Sequence, residues 1–258
     1  DVTIPRDKLV VLTGLSGSGK SFTAKRELAA LALSTDDDII CIDPESEYRP
    51  IIEGLGGEVV NISATSPNHI NAMDMEQGYG DGENPVVLKS EFLLSLCEQL
   101  MGSRQLSAKE KSIIDRCTAQ CYHGYIRGGY QGSVPTLRDF HAELLRQPEP
   151  EARRVATALE LYCTGSLNLF NHPTNVQTDA RVVCIVLKGM GENLRKIAMH
   201  ITNEFVTSAV NTNHAEGLAT WCYFDEFHIL LRDPLTASYF VAVWKMLRKK
   251  GCVPSALT

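Results

Sequence analysis

Residues 14–21 read GLSGSGKS, and the sequence on either side decides what this run means. The five residues before it, 9–13 (LVVLT), form a short apolar run, and SFTAKRELAALAL after it places apolar side chains at helical spacing. Strand, glycine loop and helix in that order are the setting that G-x-x-x-x-G-K-[ST] requires, and Gly14, Gly19, Lys20 and Ser21 hold its fixed positions. The expected chemistry is electrostatic. Backbone N–H groups from Ser16 to Ser21 turn into the loop, the helix adds its positive end, Lys20 reaches the β- and γ-phosphates, and the Ser21 hydroxyl ligates Mg2+. Gly17 adds a further point where backbone can approach phosphate closely. The expected cofactors are ATP and Mg2+, with Gly14, Ser16, Gly17, Ser18, Gly19, Lys20, Ser21 and Phe22 as the binding set. The bland alternative is a glycine-rich turn without a ligand.

A second element lies 205 positions beyond Lys20, where WCYFDE (221–226) reads as a buried strand ending in two acids. Asp225 at a strand end holds a metal through water, and Glu226 polarises the attacking water. Ser21 and Asp225 are therefore the expected metal residues, and Glu226, Lys20 and Arg248 the catalytic ones. Arg248 lies with Lys249 and Lys250 at the end of a helix, where cations offset the helix dipole without any further role. The sharper reading is an arginine finger acting on a neighbouring subunit's nucleotide, a role for which Arg153 and Arg154 compete. His228 either senses the γ-phosphate or only packs. Asp43 and Glu45, in IDPESEY, either orient water or metal or cap the next turn, and capping is the preferred reading. His69 is expected to be structural.

The organisation is α/β. DDDIICIDPE and GGEVVNISA read as early strands of a mainly parallel sheet, and ARVVCIVLK, ATWCYF and CVPSALT as later ones, with helices over about 191–212 and 234–250. Between them, residues 85–170 show helical spacing without a strand signal. Ser107 with Glu110 forms a capping box, and Thr136 precedes Asp139 at the same spacing. About four βα units of roughly 30 residues each do not fill the distance from Lys20 to Asp225, and the surplus matches the helical block. The expected division is a RecA-like nucleotide-binding core over 1–75 and 176–258, with an all-α insertion over 85–170.

The bulk numbers agree with a packed, soluble protein. Of 258 residues 44% are hydrophobic and 22% charged, and the net charge of -6 disfavours binding nucleic acid with the whole surface, though not with a local basic patch. The eight cysteines are scattered without a CxxC pair and read as reduced core residues of a cytosolic protein. Cys117, Cys121 and His123 share a helix neighbourhood but lack an evident fourth ligand for zinc. No apolar stretch approaches the roughly 18 residues of a membrane span, and no signal peptide is visible, so membrane contact is expected only through partners.

From about residue 22 onward, GSGKSFTAKRE, IDPESEY, KSIIDRC, QPEPEARRVATALELYCTGSLNLFNHPTNV and YFDEFHILL with WKMLRKKG resemble the C-terminal motor domain of the VirB-four class of type IV secretion ATPases, in the form carried by conjugative elements. The resemblance implies a RecA-like core with an all-α insertion and assembly into hexamers. It also implies ATP hydrolysis that drives DNA or protein through a conjugation channel, at the inner face of the cell membrane beside channel proteins. Lys20 and Ser21 then take the phosphate and magnesium roles, and Asp225 and Glu226 the metal and base roles. The sequence departs from that family in three places. DVTIPRDKLVVLTGLSGSGKS resembles a UvrA-type phosphate-loop segment, Ser46 replaces the glycine of a DPEGEY-like motif, and CVPSALT stops where the family continues to a sensor glutamine. An ABC-type repair ATPase would need an LSGGQ-like signature and CxxC modules, which the sequence lacks. Two other readings stay open: a DNA-translocating motor of the HerA/FtsK kind, and a nucleotide-gated assembly scaffold with weak hydrolysis.

Overall fold

The computed structural model describes residues 10–15, 18–63, 65–79, 84–102, 104–176, 180–231 and 234–258. Two compact units emerge, one from residues 1–68, 176–232 and 240–258, the other from 69–175 and 233–239.

The first unit is built on six strands, all parallel: β1 (Val10–Leu12), β2 (Asp38–Asp43), β3 (Glu58–Asn61), β4 (Val182–Val186), β5 (Thr220–Phe224) and β6 (Cys252–Leu257). Their order in the sheet is β1-β6-β5-β2-β4-β3. The helices of this unit are α1 (Lys20–Ser34), α2 (Arg49–Gly54), α7 (Glu192–Glu216), the single turn α8 (His228–Leu231) and the later part of α9 (Pro234–Lys249).

Strands buried on both faces explain the near-continuous apolar runs in the sequence. Ile39, Cys41, Val182, Cys184, Val186, Trp221 and Tyr223 turn to one face, where Ala24, Leu28 and Ala32 of α1 and Tyr48 and Ile52 cover them. The alternate residues Ile40, Ile42, Val183, Ile185, Cys222 and Phe224 are equally buried, as period-two alternation requires of a sheet with helices on both sides. On that second face Phe224 and Phe227 pack with Phe240 and Trp244 of α9, Phe227 stacking on Trp244 at 4.5 Å between ring centres.

The strand order positions the chemistry. Open parallel sheets bind ligands at the carboxyl ends of their strands. Here four neighbouring ends present the glycine loop after β1, Thr258 after β6, Asp225-Glu226 after β5, and the IDPESEY loop after β2. Backbone bonds continue the ladder to that edge: Thr258 N–H donates to Leu12 O at 3.0 Å, Phe227 N–H to Leu257 O at 2.9 Å and Asp225 N–H to Ile42 O at 3.1 Å.

The second unit is helical: α3 (Pro85–Leu100), α4 (Ala108–Arg127), α5 (Leu137–Arg146) and α6 (Pro150–Cys163), with a 3-10 turn over Asn168–Phe170. α6 stops at Cys163, where Thr164 and Gly165 N–H groups both turn back to Glu160 O and end the ladder. Ser107 Oγ accepts from Glu110 N–H at 3.2 Å and the Glu110 carboxylate accepts from Ser107 N–H at 2.8 Å, closing the capping box at the head of α4. At α5 the Asp139 carboxylate accepts from both the backbone N–H and the hydroxyl of Thr136, at 2.7 and 2.9 Å. Cys117 faces the core of this unit, Cys121 is partly buried and His123 is exposed. Burial pushes both thiols up to about 12, so they stay protonated. Among the described residues no helix is long and apolar enough to cross a membrane.

Candidate nucleotide-binding site

The site begins with the entry to α1. Gly19 flanks the helix at φ 88°, and no side chain caps the first turn. A left-handed residue before uncapped N–H groups makes a concave, positively polarised end suited to an anion. Only glycine adopts that backbone freely. Gly14 matters for space, because a Cβ there would stand 2.6 Å from Ser18 Oγ. Lys20 folds back across the loop, its Nζ donating to Gly14 O at 2.7 Å and Leu15 O at 3.2 Å. Ser18 N–H donates to Leu15 O at 3.1 Å. Ser16 and Gly17 lie outside the described residues.

Gly14, Ser18, Gly19, Lys20, Ser21 and Phe22 line a cavity of about 590 Å³, which Asp225, Glu226 and His228 enter from β5, Leu257 and Thr258 from β6, and Glu47 from the loop after β2. That volume lies in the range of small-molecule sites. Phe22 is 72% exposed beside the phosphate loop.

Asp225 is only 8% exposed, and its Oδ1 accepts the N–H of Glu226 at 2.9 Å. Burial pushes its carboxyl up to about 6; the Glu226 N–H works against this, and the nearby charges of Glu226, Asp43 and Glu47 add to it. The sign follows from linkage. An acid whose folded pKa exceeds its unfolded value lowers stability as pH rises from about 4 through about 6, and the loss persists above that. Asp225→Asn is therefore expected to stabilise the nucleotide-free chain at pH 7.5 by on the order of 2 kcal/mol. Thermal melts at pH 7.5 and pH 4 check this, because the gain should vanish at the lower pH.

Glu226 adopts φ 53°, a left-handed conformation that costs a non-glycine residue about 1–2 kcal/mol. Strain of this kind gathers at functional positions. Its Oε2 lies 3.5 Å from His228 Nδ1, and both side chains are partly exposed. Asp43 is fully buried, with Oδ2 accepting the Tyr48 N–H at 2.8 Å, and Glu45 pairs with Arg195 at 2.5 Å. Neither lines the cavity. The capping geometry thus holds for Asp43, whereas the acid of this motif that does enter the cavity, Glu47, was not distinguished by the sequence. Its signal was faint: one more charged residue in a charged loop.

Ser46 adopts φ 63°. Ser46→Gly removes that left-handed penalty while adding freedom to the unfolded chain. The expected net is a gain of about 0.5 kcal/mol, measurable as a rise of one or two degrees in Tm.

Arg248 does not line the cavity. It sits near the end of α9, just before the amino end of β6, whereas the cavity lies at the carboxyl end of that strand. Arg153 and Arg154 belong to α6 of the helical unit, and Arg154 Nη1 lies 3.4 Å from Glu110 Oε1. His69 donates its N–H to Asn175 Oδ1 at 2.7 Å and packs its ring 4.3 Å from that of His172.

An all-parallel α/β sheet with a phosphate loop after one strand and paired acids two strands away is the RecA-like P-loop nucleotide-binding class. The chain belongs to the family described as Helicase HerA, central domain, whose profile matches residues 10–203. Its fold is similar to that of VirB4 of Thermoanaerobacter pseudethanolicus, with a TM-score of 0.80 and 19% identity over 100% of this chain and 73% of that one. It is also similar to the bacterial conjugative coupling protein TrwBdeltaN70 in complex with sulphate, with a TM-score of 0.59 and 13% identity over 98% of this chain and 62% of that one. A 24-residue stretch is 92% identical to UvrABC system protein A of Halalkalibacterium halodurans, spanning 9% of this chain but only 2% of that protein. The short match answers the UvrA-like opening, while the fold follows VirB4 and the conjugative coupling protein.

Proposed function

We propose that the chain is a Mg2+-dependent ATPase motor that powers transfer of DNA or protein through a conjugative type IV secretion system. The observation that carries the reading is one cavity shared by Lys20 and Ser21 with Asp225 and Glu226. Lys20 binds the β- and γ-phosphates once its bonds to the loop carbonyls are exchanged for phosphate oxygens. The backbone of residues 14 and 18–21 cradles the phosphates, and Phe22 flanks the nucleotide. Ser21 and Asp225 offer oxygen donors only, which fits a hard cation shared with substrate phosphates. Bound there, Mg2+ supplies neutralisation of charge on the phosphate oxygens. Glu226 orients the attacking water and accepts its proton.

Arg248, remote from its own cavity, serves a neighbouring copy in a ring, in keeping with a homo-hexamer at the inner face of the membrane beside channel proteins. Membership of the HerA family favours a second reading, a motor that translocates DNA itself. Steady-state phosphate release at increasing protein concentration tests the ring. Turnover per chain should rise with concentration and fall at least 100-fold in Arg248→Ala. Concentration-independent turnover in a monomeric chain removes Arg248 from that role, and strong stimulation by DNA favours the second reading.

A further inference from the structure

Three carboxylates reach the nucleotide cavity. Glu47 lines it together with Asp225 and Glu226. Local structure holds it there. β2 ends at Asp43 beside β5, and the buried Asp43 carboxylate accepts the Tyr48 N–H, pinning the far end of the loop. Ser46, at φ 63°, turns the chain between them. Lys25, one helical turn after Ser21, places its Nζ 3.6 Å from Glu47 Oε2 and 4.9 Å from the centre of the Tyr48 ring. Glu47 therefore enters the cavity from the loop after β2, paired to the helix that carries Ser21. Glu45, two residues earlier, pairs with Arg195 and stays out of the cavity.

We propose that Glu47 is a positioning residue that holds, through water, the hydrated Mg2+ bound with the nucleotide. The inference rests on the nucleotide-site reading above. Mg2+ sites of this kind use one or two protein ligands with substrate phosphates and keep several waters. Ser21 supplies one such ligand and Asp225 acts through water, so the retained waters need further acceptors. Partners one shell out from the metal set its affinity by about 10–100-fold. Glu47 suits this position, since its side chain is 53% exposed and can meet water, while Lys25 fixes its direction. The same ion pair offsets a third negative charge near a triphosphate.

The test is titration of a fluorescent ADP analogue, which removes hydrolysis from the readout, in EDTA and over a series of free Mg2+ concentrations. Glu47→Gln should raise the Mg2+ concentration for half-maximal tightening about tenfold. Its affinity in EDTA should match or exceed that of the parent chain. Glu47→Asp should recover part of the Mg2+ effect, and Glu45→Gln should match the parent. Thermal melts within a few degrees of the parent establish that the variants fold. Parental Mg2+ dependence in Glu47→Gln overturns the proposal. So does equal weakening with and without the metal, which would mark Glu47 as a direct nucleotide contact. A parent chain that binds no nucleotide at all refutes the site reading itself, and the Mg2+ role falls with it.

Discussion

Lys20→Ala is expected to lose ATP binding by at least 100-fold, with little change in stability. The ammonium is the cation that the strand-loop-helix element brings to the phosphates, and charge-assisted bonds to ionised oxygens contribute about 1.5–3 kcal/mol each. Losing two of them, about 3–6 kcal/mol, amounts to roughly two to four orders of magnitude in Kd. Among the described residues the same ammonium bonds to two exposed carbonyls, those of Gly14 and Leu15. Water replaces it there, so the melting temperature should move by no more than a few degrees. Calorimetric titration with ATP and a thermal melt separate the two effects. A variant that fails to bind and also fails to fold would show that Lys20 organises the loop and not the ligand.

Glu226→Gln should behave in the opposite way, keeping nucleotide binding while hydrolysis falls by about 10²–10⁴-fold. The amide preserves shape and the left-handed backbone, but it cannot accept a proton. It also lifts one of the negative charges acting on Asp225, so binding should hold or tighten. Retention of labelled ATP after gel filtration, followed by single-turnover phosphate release, reads both quantities on one sample. Normal hydrolysis in this variant would take the base role away from Glu226.

The fold class was legible in the sequence because its signals are local and strong. LVVLT before the glycine loop, DIICID and VVCIV are apolar runs of strand length, and the capping residues at 107 and 136 punctuate the helices. Order within the sheet was not legible. Nothing in CVPSALT says that β6 inserts between β1 and β5, since parallel strands are joined by long crossovers and their neighbours are chosen by tertiary packing. That insertion is what sets Asp225 two strands from the phosphate loop and brings Leu257 and Thr258 into the cavity.

The acids after β2 show the same limit at the scale of single side chains. Asp43, Glu45 and Glu47 alternate along one short loop, yet one is buried against Tyr48, one pairs with Arg195 and one reaches the cavity. Their different fates depend on Lys25 and Arg195, residues from α1 and α7 that are distant in sequence from at least one of their partners. The left-handed turn at Glu226 was equally hidden, whereas the one at Ser46 was signalled only by the glycine that the resembled motif carries there. Neither residue type announces positive φ, and the turns appear only where surrounding structure enforces them.

The decisive measurement is the binding of a fluorescent ATP analogue to the parent chain, Lys20→Ala and Glu226→Gln, with and without Mg2+. Saturable binding by the parent and Glu226→Gln that tightens with Mg2+, and none by Lys20→Ala, is the predicted result. Binding by Lys20→Ala equal to that of the parent, or no response to Mg2+ in any of the three, would contradict a nucleotide site built from the glycine loop and the paired acids.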